Sequence, residues 1–258
     1  MRTALAVALV VGAAAAPRAA RAQLAERVGA VDDGTVRFAY EVKPGVEICD
    51  QGVRIGEHHM SWRMSRGERA SGCRFDVAEV ELRVRSGRVR GVELVRDPDD
   101  RRDAVDLGTI EATQAARFLL ALPYADATDD AAGDAILPAM LADAEDVWRD
   151  VLRLAEDRSL AEDVRKSATF WLGQEAAEAA TEGLSGLARA EDEDQEVRNA
   201  AIFALSQRPR DEGVPALMEL ARAGEHAETR KTAMFWLAQS GDERVVAFFE
   251  EILLRRNR

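Results

Sequence analysis

Few side chains here are suited to acid–base or metal chemistry, and their spacing decides what they can do. There are three histidines, His58, His59 and His226, and two cysteines, Cys49 and Cys73. Adjacent residues on an extended chain point to opposite sides, so His58 and His59 read as solvent-facing loop residues and not as a ligand pair. Structural zinc sites use closely paired ligands. Cysteines 24 positions apart do not supply them, and no metal site is expected. Nucleophilic chemistry finds no better footing, because Gly183-Leu184-Ser185-Gly186 misses the nucleophile-elbow spacing by one residue and no serine stands three before a lysine. With so few histidines a general base would have to be a carboxylate, and pairs such as Asp129-Asp130 read as loop charge. No catalytic residue and no cofactor is assigned.

The 258 residues include 47 acids against 35 bases, a formal charge of -12. A surface held to nucleic acid by counterion release needs the opposite sign, so no nucleic acid is expected as a partner. Residues 1–22 have the form of an export signal: Arg2, an apolar run from Ala4 to Ala16, then the small-residue site Ala20-Arg21-Ala22. Cleavage after Ala22 is expected, giving a bacterial periplasmic or secreted product. The apolar run falls short of the ~20 residues of a bilayer span, and no membrane span is expected elsewhere. Losing Arg2, Arg18 and Arg21 would leave the mature product more acidic still. In an oxidising compartment Cys49 and Cys73 are expected to form one disulfide, worth about 3.5 kcal/mol by chain entropy.

Strand patterning fills residues 23–105, a small β-rich domain. Val36, Phe38, Tyr40 and Val42 alternate with Arg37, Ala39 and Glu41, as on a half-buried strand. Val80 to Arg85, Ser86-Gly87, then Arg88 to Val95 predict a hairpin with a two-residue turn. That turn sets Arg85 opposite Arg88 and Arg83 opposite Arg90, with Val84 and Val89 toward the core. Gly91 breaks the alternation, so Val92 and Leu94 join the inner face only through a bulge. The arginines Arg83, Arg85, Arg88 and Arg90 form a candidate anion patch, unless Glu81 and Glu93 balance them on a solvated face. Asp97 to Asp103 is a polar interruption and the expected boundary. Beyond it Thr109 is the expected N-cap of a helix burying Ala112, Ala115, Ala116, Leu119 and Leu120, Pro123 stops it, and 125–134 is expected to be a solvent-facing loop.

Residues 106–258 are built by repetition. Val164-Arg165-Lys166-Ser167-Ala168-Thr169-Phe170-Trp171-Leu172-Gly173-Gln174 returns at Val197 to Gln207 and again at Thr229 to Gln239. In step with it, Val151 and Leu154 recur as Leu184 and Leu187, as Leu217 and Leu220, and as Phe249 and Ile252. Each unit is therefore two helices, stacked to share a core that no single unit could bury. At 100° per residue Val164, Ala168, Trp171 and Leu172 share one stripe. Phe170, Phe203 and Phe235 lie roughly 120° away, with Gln174, Gln207 and Gln239 one turn on. With Arg165, Arg198 and Arg230 nearby, these residues form a candidate ladder for a peptide or helix of a partner protein. The alternative packs the phenylalanines onto the next repeat and pairs the arginines with Asp163, Glu196 and Glu228.

The pattern from Asp163 to Gln174, an acid, Val-Arg, then Ala, an aromatic, Leu, Gly and Gln, resembles the HEAT-like repeats first described in phycobilisome lyases. The likeness spans about 132–258. With the leader and the β-rich module, the chain also resembles exported bacterial HEAT-repeat proteins, a likeness that brings no reaction with it. The resemblance implies an α+β fold, a β-rich domain followed by an α-solenoid of HEAT-like helical pairs of which the last is incomplete. Such repeats usually bind other proteins, and the expected role is a non-catalytic, monomeric scaffold binding another protein through the concave face of the solenoid. An enzyme is the alternative, since bilin lyases and a diiron hydroxylase share the repeat type. The hydroxylase likeness would need recurring His-Glu pairs, and His226 is followed by Ala227.

Overall fold

The computed structural model describes residues 24–49, 52–55, 58–61, 73–74, 76–95, 103–125, 127–175 and 177–255. The expected export signal, nearly all of the 97–103 interruption and the basic residues 256–258 lie outside these. Helix α1 is described over 24–29. Among the described residues seven strands follow: β1 (Gly34–Glu41), β2 (Val46–Cys49), β3 (Gly52–Ile55), β4 (His58–Ser61), β5 (Val77–Arg85), β6 (Arg88–Leu94) and β7 (Val105–Thr109). They make a four-stranded sheet in the order β6-β5-β1-β7 and a three-stranded sheet in the order β2-β3-β4. His58 and His59 thus open a strand and not a loop.

Alternation on β1 is what sets the inner face. Val36, Phe38 and Tyr40 are fully buried, and Val36 lies opposite Leu82, Phe38 opposite Val80 and Tyr40 opposite Ala78. The β5–β6 hairpin turns on Ser86 and Gly87 at φ of 51° and 67°, the pair of left-handed residues that a type I′ turn requires. Arg85 faces Arg88 and Val84 faces Val89, but the register then shifts so that Arg83 faces Gly91. Arg90 is the extra residue of the bulge, which corrects the expected Arg83–Arg90 pairing. Gly91 has a steric role as well: a Cβ there would meet the Arg83 guanidinium at 2.5 Å.

The opposite face of the sheet carries charge. Arg37 bonds Glu81, both buried, and also lies 3.3 Å from Glu79. Arg74 meets Glu79 at 3.2 Å. Glu81 is therefore engaged across the sheet. The second sheet is tied in by backbone bonds between Ile48 and Arg74 and by a disulfide joining Cys49 to Cys73.

Strand β7 has no clear alternation, and four of its five residues are exposed. It is held by parallel pairing to β1, which extends the sheet region to residue 109. Thr109 consequently ends a strand, and the N-cap of α2 (Ala112–Leu119) is Glu111, whose carboxylate accepts from the backbone N–H groups of Thr113 and Gln114. Those bonds hold the Glu111 carboxyl below its ordinary range against the opposing effect of burial. The segment expected to be a solvent-facing loop contains α3 (Asp129–Asp134), capped by Thr128, with Ala131 and Ala132 buried. Next comes α4 (Ile136–Leu141).

These three short helices cover the inner face of the sheet. Phe118 of α2 meets Phe38 edge-on at 6.1 Å. The Tyr40 hydroxyl donates to the Pro138 carbonyl at 2.7 Å, and burial pushes its phenol upward in pKa. The Lys43 N–H donates to the Leu141 carbonyl.

The remainder is an array of helix pairs: α5 (Val147–Glu156) with α6 (Glu162–Gly173), α7 (Glu178–Arg189) with α8 (Gln195–Ser206), and α9 (Arg210–Ala223) with α10 (Ala227–Gln239). A further helix, α11 (Arg244–Arg255), continues the row of first helices. Recurrent positions occupy equivalent surroundings. Ala168, Ala201 and Ala233 are fully buried, as are Leu172, Leu205 and Leu237. The alanines and Gly173 let helices approach closely: a Cβ on Gly173 would lie 2.9 Å from that of Ala204. In α11 Val245 and Phe248 are buried, with Phe249 and Ile252 only half-buried. Buried apolar side chains form one cluster that runs from Leu24 through the sheet to Phe248. Among the described residues no helix is long and apolar enough to cross a membrane.

Candidate functional site: an aromatic strip on the second helices

Helices α6, α8 and α10 repeat one sequence in one setting, so the residues each turns outward form rows. The central row is aromatic. Phe170 stacks on Phe203 with ring centroids 6.4 Å apart and planes 10° from parallel. Phe203 in turn meets Trp236 at 5.0 Å, and Phe235 meets Trp236 edge-on at 5.1 Å. Trp171 closes the other end, edge-on to Phe170 at 5.0 Å. Phe170, Phe203 and Trp236 are half-buried, and Phe235 is 54% exposed. The chain of rings crosses three repeats. Its third member is Trp236 where the repeat register points to Phe235, and the Trp–Ala–Trp sequence at 171, 204 and 236 is the signal that marks it.

Flanking the rings, Gln174 is half-buried while Gln207 and Gln239 are exposed. The arginines do not join the strip. Arg165 is almost completely buried and donates to the Ala155 carbonyl, to Glu193 and to Asp194 at 3.1 Å. Arg198, also buried, donates to the backbone carbonyls of Ala190, Glu191 and Glu193. Arg230 donates to the carbonyls of Gly224 and Glu225. All three therefore fasten turns between helices, and no partner can reach Arg165 or Arg198. Nor do they take the expected acids: Asp163 and Glu228 pair with Lys166 and Lys231. The acidic turn before α8 is likewise occupied, since Asp194 stands at the N-cap without capping and bonds Arg165 instead.

Two of the hairpin arginines, Arg83 and Arg85, each lie near a carboxylate. Arg85 stands 4.0 Å from Asp33, whose carboxylate also accepts the Ser86 N–H. Partial burial, with Asp130 adding to it, raises the Asp134 pKa, and Arg83, which lies across Gly91, opposes this without reversing it. Ser185 is a buried mid-helix residue on α7, not the tip of an elbow. It borders an acidic groove of about 550 Å³ between α7 and α9, with Glu178, Glu182, Asp211 and Glu219. No three histidine, cysteine or carboxylate side chains among the described residues are grouped to hold a metal ion.

Helix pairs stacked so that equivalent side chains form rows define an α-solenoid repeat protein, a class whose exposed rows serve protein–protein interaction. The family model for HEAT repeats matches residues 150–233 and again 184–258. Residues 150–258 are HEAT repeats. No curated protein matches the chain.

Proposed function

We propose that this protein is an exported, non-catalytic scaffold that holds a segment of another protein along the face of α6, α8 and α10. The single observation that carries this reading is the run of rings Phe170, Phe203, Trp236 and Phe235 along three repeats, half-buried at the first three and exposed at Phe235. Aromatic side chains left accessible in a contiguous row bring large contact area at low entropic cost. Export rests on the leader-like residues 1–22, and the absence of catalysis on the scarcity of histidine and of His-Glu pairs.

A photoreactive phenylalanine analogue at position 203 tests the site in producing cells. A discrete crosslinked protein is expected from position 203 and from 235, and none from Glu182 or Arg222 on the first helices. Crosslinks of equal yield at all four positions would remove the strip as the binding face. Mass spectrometry of the purified protein should find Gln23 at its amino terminus, and an intact Met1 would remove export.

A further inference from the structure

Among the positions at which the repeated Val164–Gln174 segment differs between rungs, one changes charge. On α6, Lys166 bonds Asp163 at 2.7 Å and Glu162 at 3.2 Å. On α10, Lys231 reaches Glu228 at 3.4 Å. The middle rung keeps the acid, Glu196, but has Asn199 where its neighbours have lysine. Asn199 accepts a hydrogen bond from Gln195 at 3.0 Å. Glu196 is exposed and has no partner among the described residues. The vacant lysine position is one helical turn from Phe203, at the centre of the ring stack, because residues four apart are neighbours on a helix face. An ammonium or guanidinium group there would face a carboxylate on one side and rest its methylene stem on a ring on the other.

Resting on the reading of the strip as a binding face, we propose that its occupant is a protein segment with alternating apolar and basic side chains. Apolar residues of this segment lie on the rings, and one lysine or arginine fills the middle rung against Glu196. The net charge of -12 favours approach of such a segment over an acidic one.

Three synthetic peptides of equal length test this, with leucine at alternate positions and lysine, glutamine or glutamate between. Binding to the full mature chain is read by fluorescence anisotropy. The lysine peptide is expected to bind about tenfold tighter than the glutamate peptide at low salt, and the gap should narrow as sodium chloride is raised. Asn199→Lys supplies the missing cation within the chain. It should weaken the lysine peptide about fivefold, the worth of one exposed ion pair, and leave the glutamine peptide unchanged. Equal affinities for all three peptides, or an Asn199→Lys protein that binds as before, would overturn the basic occupant while leaving the strip intact as a binding face. Failure of the strip itself has a different signature: peptides whose binding survives both Phe203→Ser and the exposed Phe235→Ser bind elsewhere, and both readings fall.

Discussion

Arg165 shows how a repeated residue can be indispensable to architecture and unavailable to a partner. Its guanidinium lies inside the array, bound to Glu193 and Asp194 of the next pair, so it links one repeat to its successor. The two carboxylates are not equivalent. The Glu193 side chain is 3% exposed and that of Asp194 60%. Removing one partner of a buried pair strands the other charge away from water, at a cost of about 3–5 kcal/mol, whereas an exposed pair contributes at most about 1 kcal/mol. Arg165→Met should therefore lower the urea midpoint strongly and Asp194→Asn hardly at all. Equal effects would mean that Glu193 is not the partner that matters. Recurrence in the sequence marked Arg165, Arg198 and Arg230 as special without telling surface from interior. That distinction depends on the loop each arginine meets in a neighbouring element, which no spacing along one helix records.

Turns between elements carry the next two expectations. The β5–β6 turn holds Ser86 in the left-handed region, which costs a non-glycine residue about 1–2 kcal/mol and suits asparagine better. Ser86→Asn should raise stability by about 0.5 kcal/mol, and Gly87→Ala should lower it by about 1 kcal/mol, both measured by thermal melting. A loss in the asparagine variant would contradict the turn. In the solenoid, the turn before α8 meets the turn before α10 through Glu191 and Glu225. The neighbouring Glu225 carboxyl raises the Glu191 pKa, with Asp192 adding to the effect and His226 opposing it. A carboxyl whose pKa is higher folded than unfolded stabilises below its ordinary value and loses that contribution as pH rises through the raised one. Amide protection in the first turn of α10, with the intrinsic rise of exchange with pH divided out, should fall across that window, and Glu225→Gln should abolish the fall. Asp242 behaves oppositely: its bonds from Arg244 hold its pKa down to about 2, so its contribution fades only as pH falls toward that value. Elements with their own periodicity, such as β1, the hairpin and helices α5 to α10, could be read from the sequence. Strand β7 and helix α3 could not. The first is placed by pairing with a strand distant in sequence, and the second is a short acidic segment that buries only two alanines.

Taken together, the sheet and the solenoid share one interior, and this changes what the disulfide can be expected to do. An α-solenoid needs its terminal repeats covered, and here the sheet covers one end through α2, α3 and α4, with Ser167 of α6 donating to the Gly133 carbonyl of α3. Phe38 and Tyr40 on the strand side meet Phe118 and Pro138 on the helical side. The sequence pattern suggested two bodies because strand periodicity gives way to helical periodicity near residue 105, but periodicity reports the local element and not where one core ends. If the core is continuous, stabilisation applied in the sheet must be felt by the helices. Cys49 and Cys73 are 24 residues apart, a loop whose release costs about 3.5 kcal/mol. For a chain of this length that corresponds to roughly 10 °C in melting temperature. In a Trp62→Phe background the remaining tryptophans, Trp148, Trp171 and Trp236, all belong to the solenoid. Their fluorescence should report a single transition whose midpoint falls by about that amount when the disulfide is reduced. A tryptophan midpoint indifferent to reductant would mean that the solenoid unfolds on its own and that the sheet is a neighbour and not a cap.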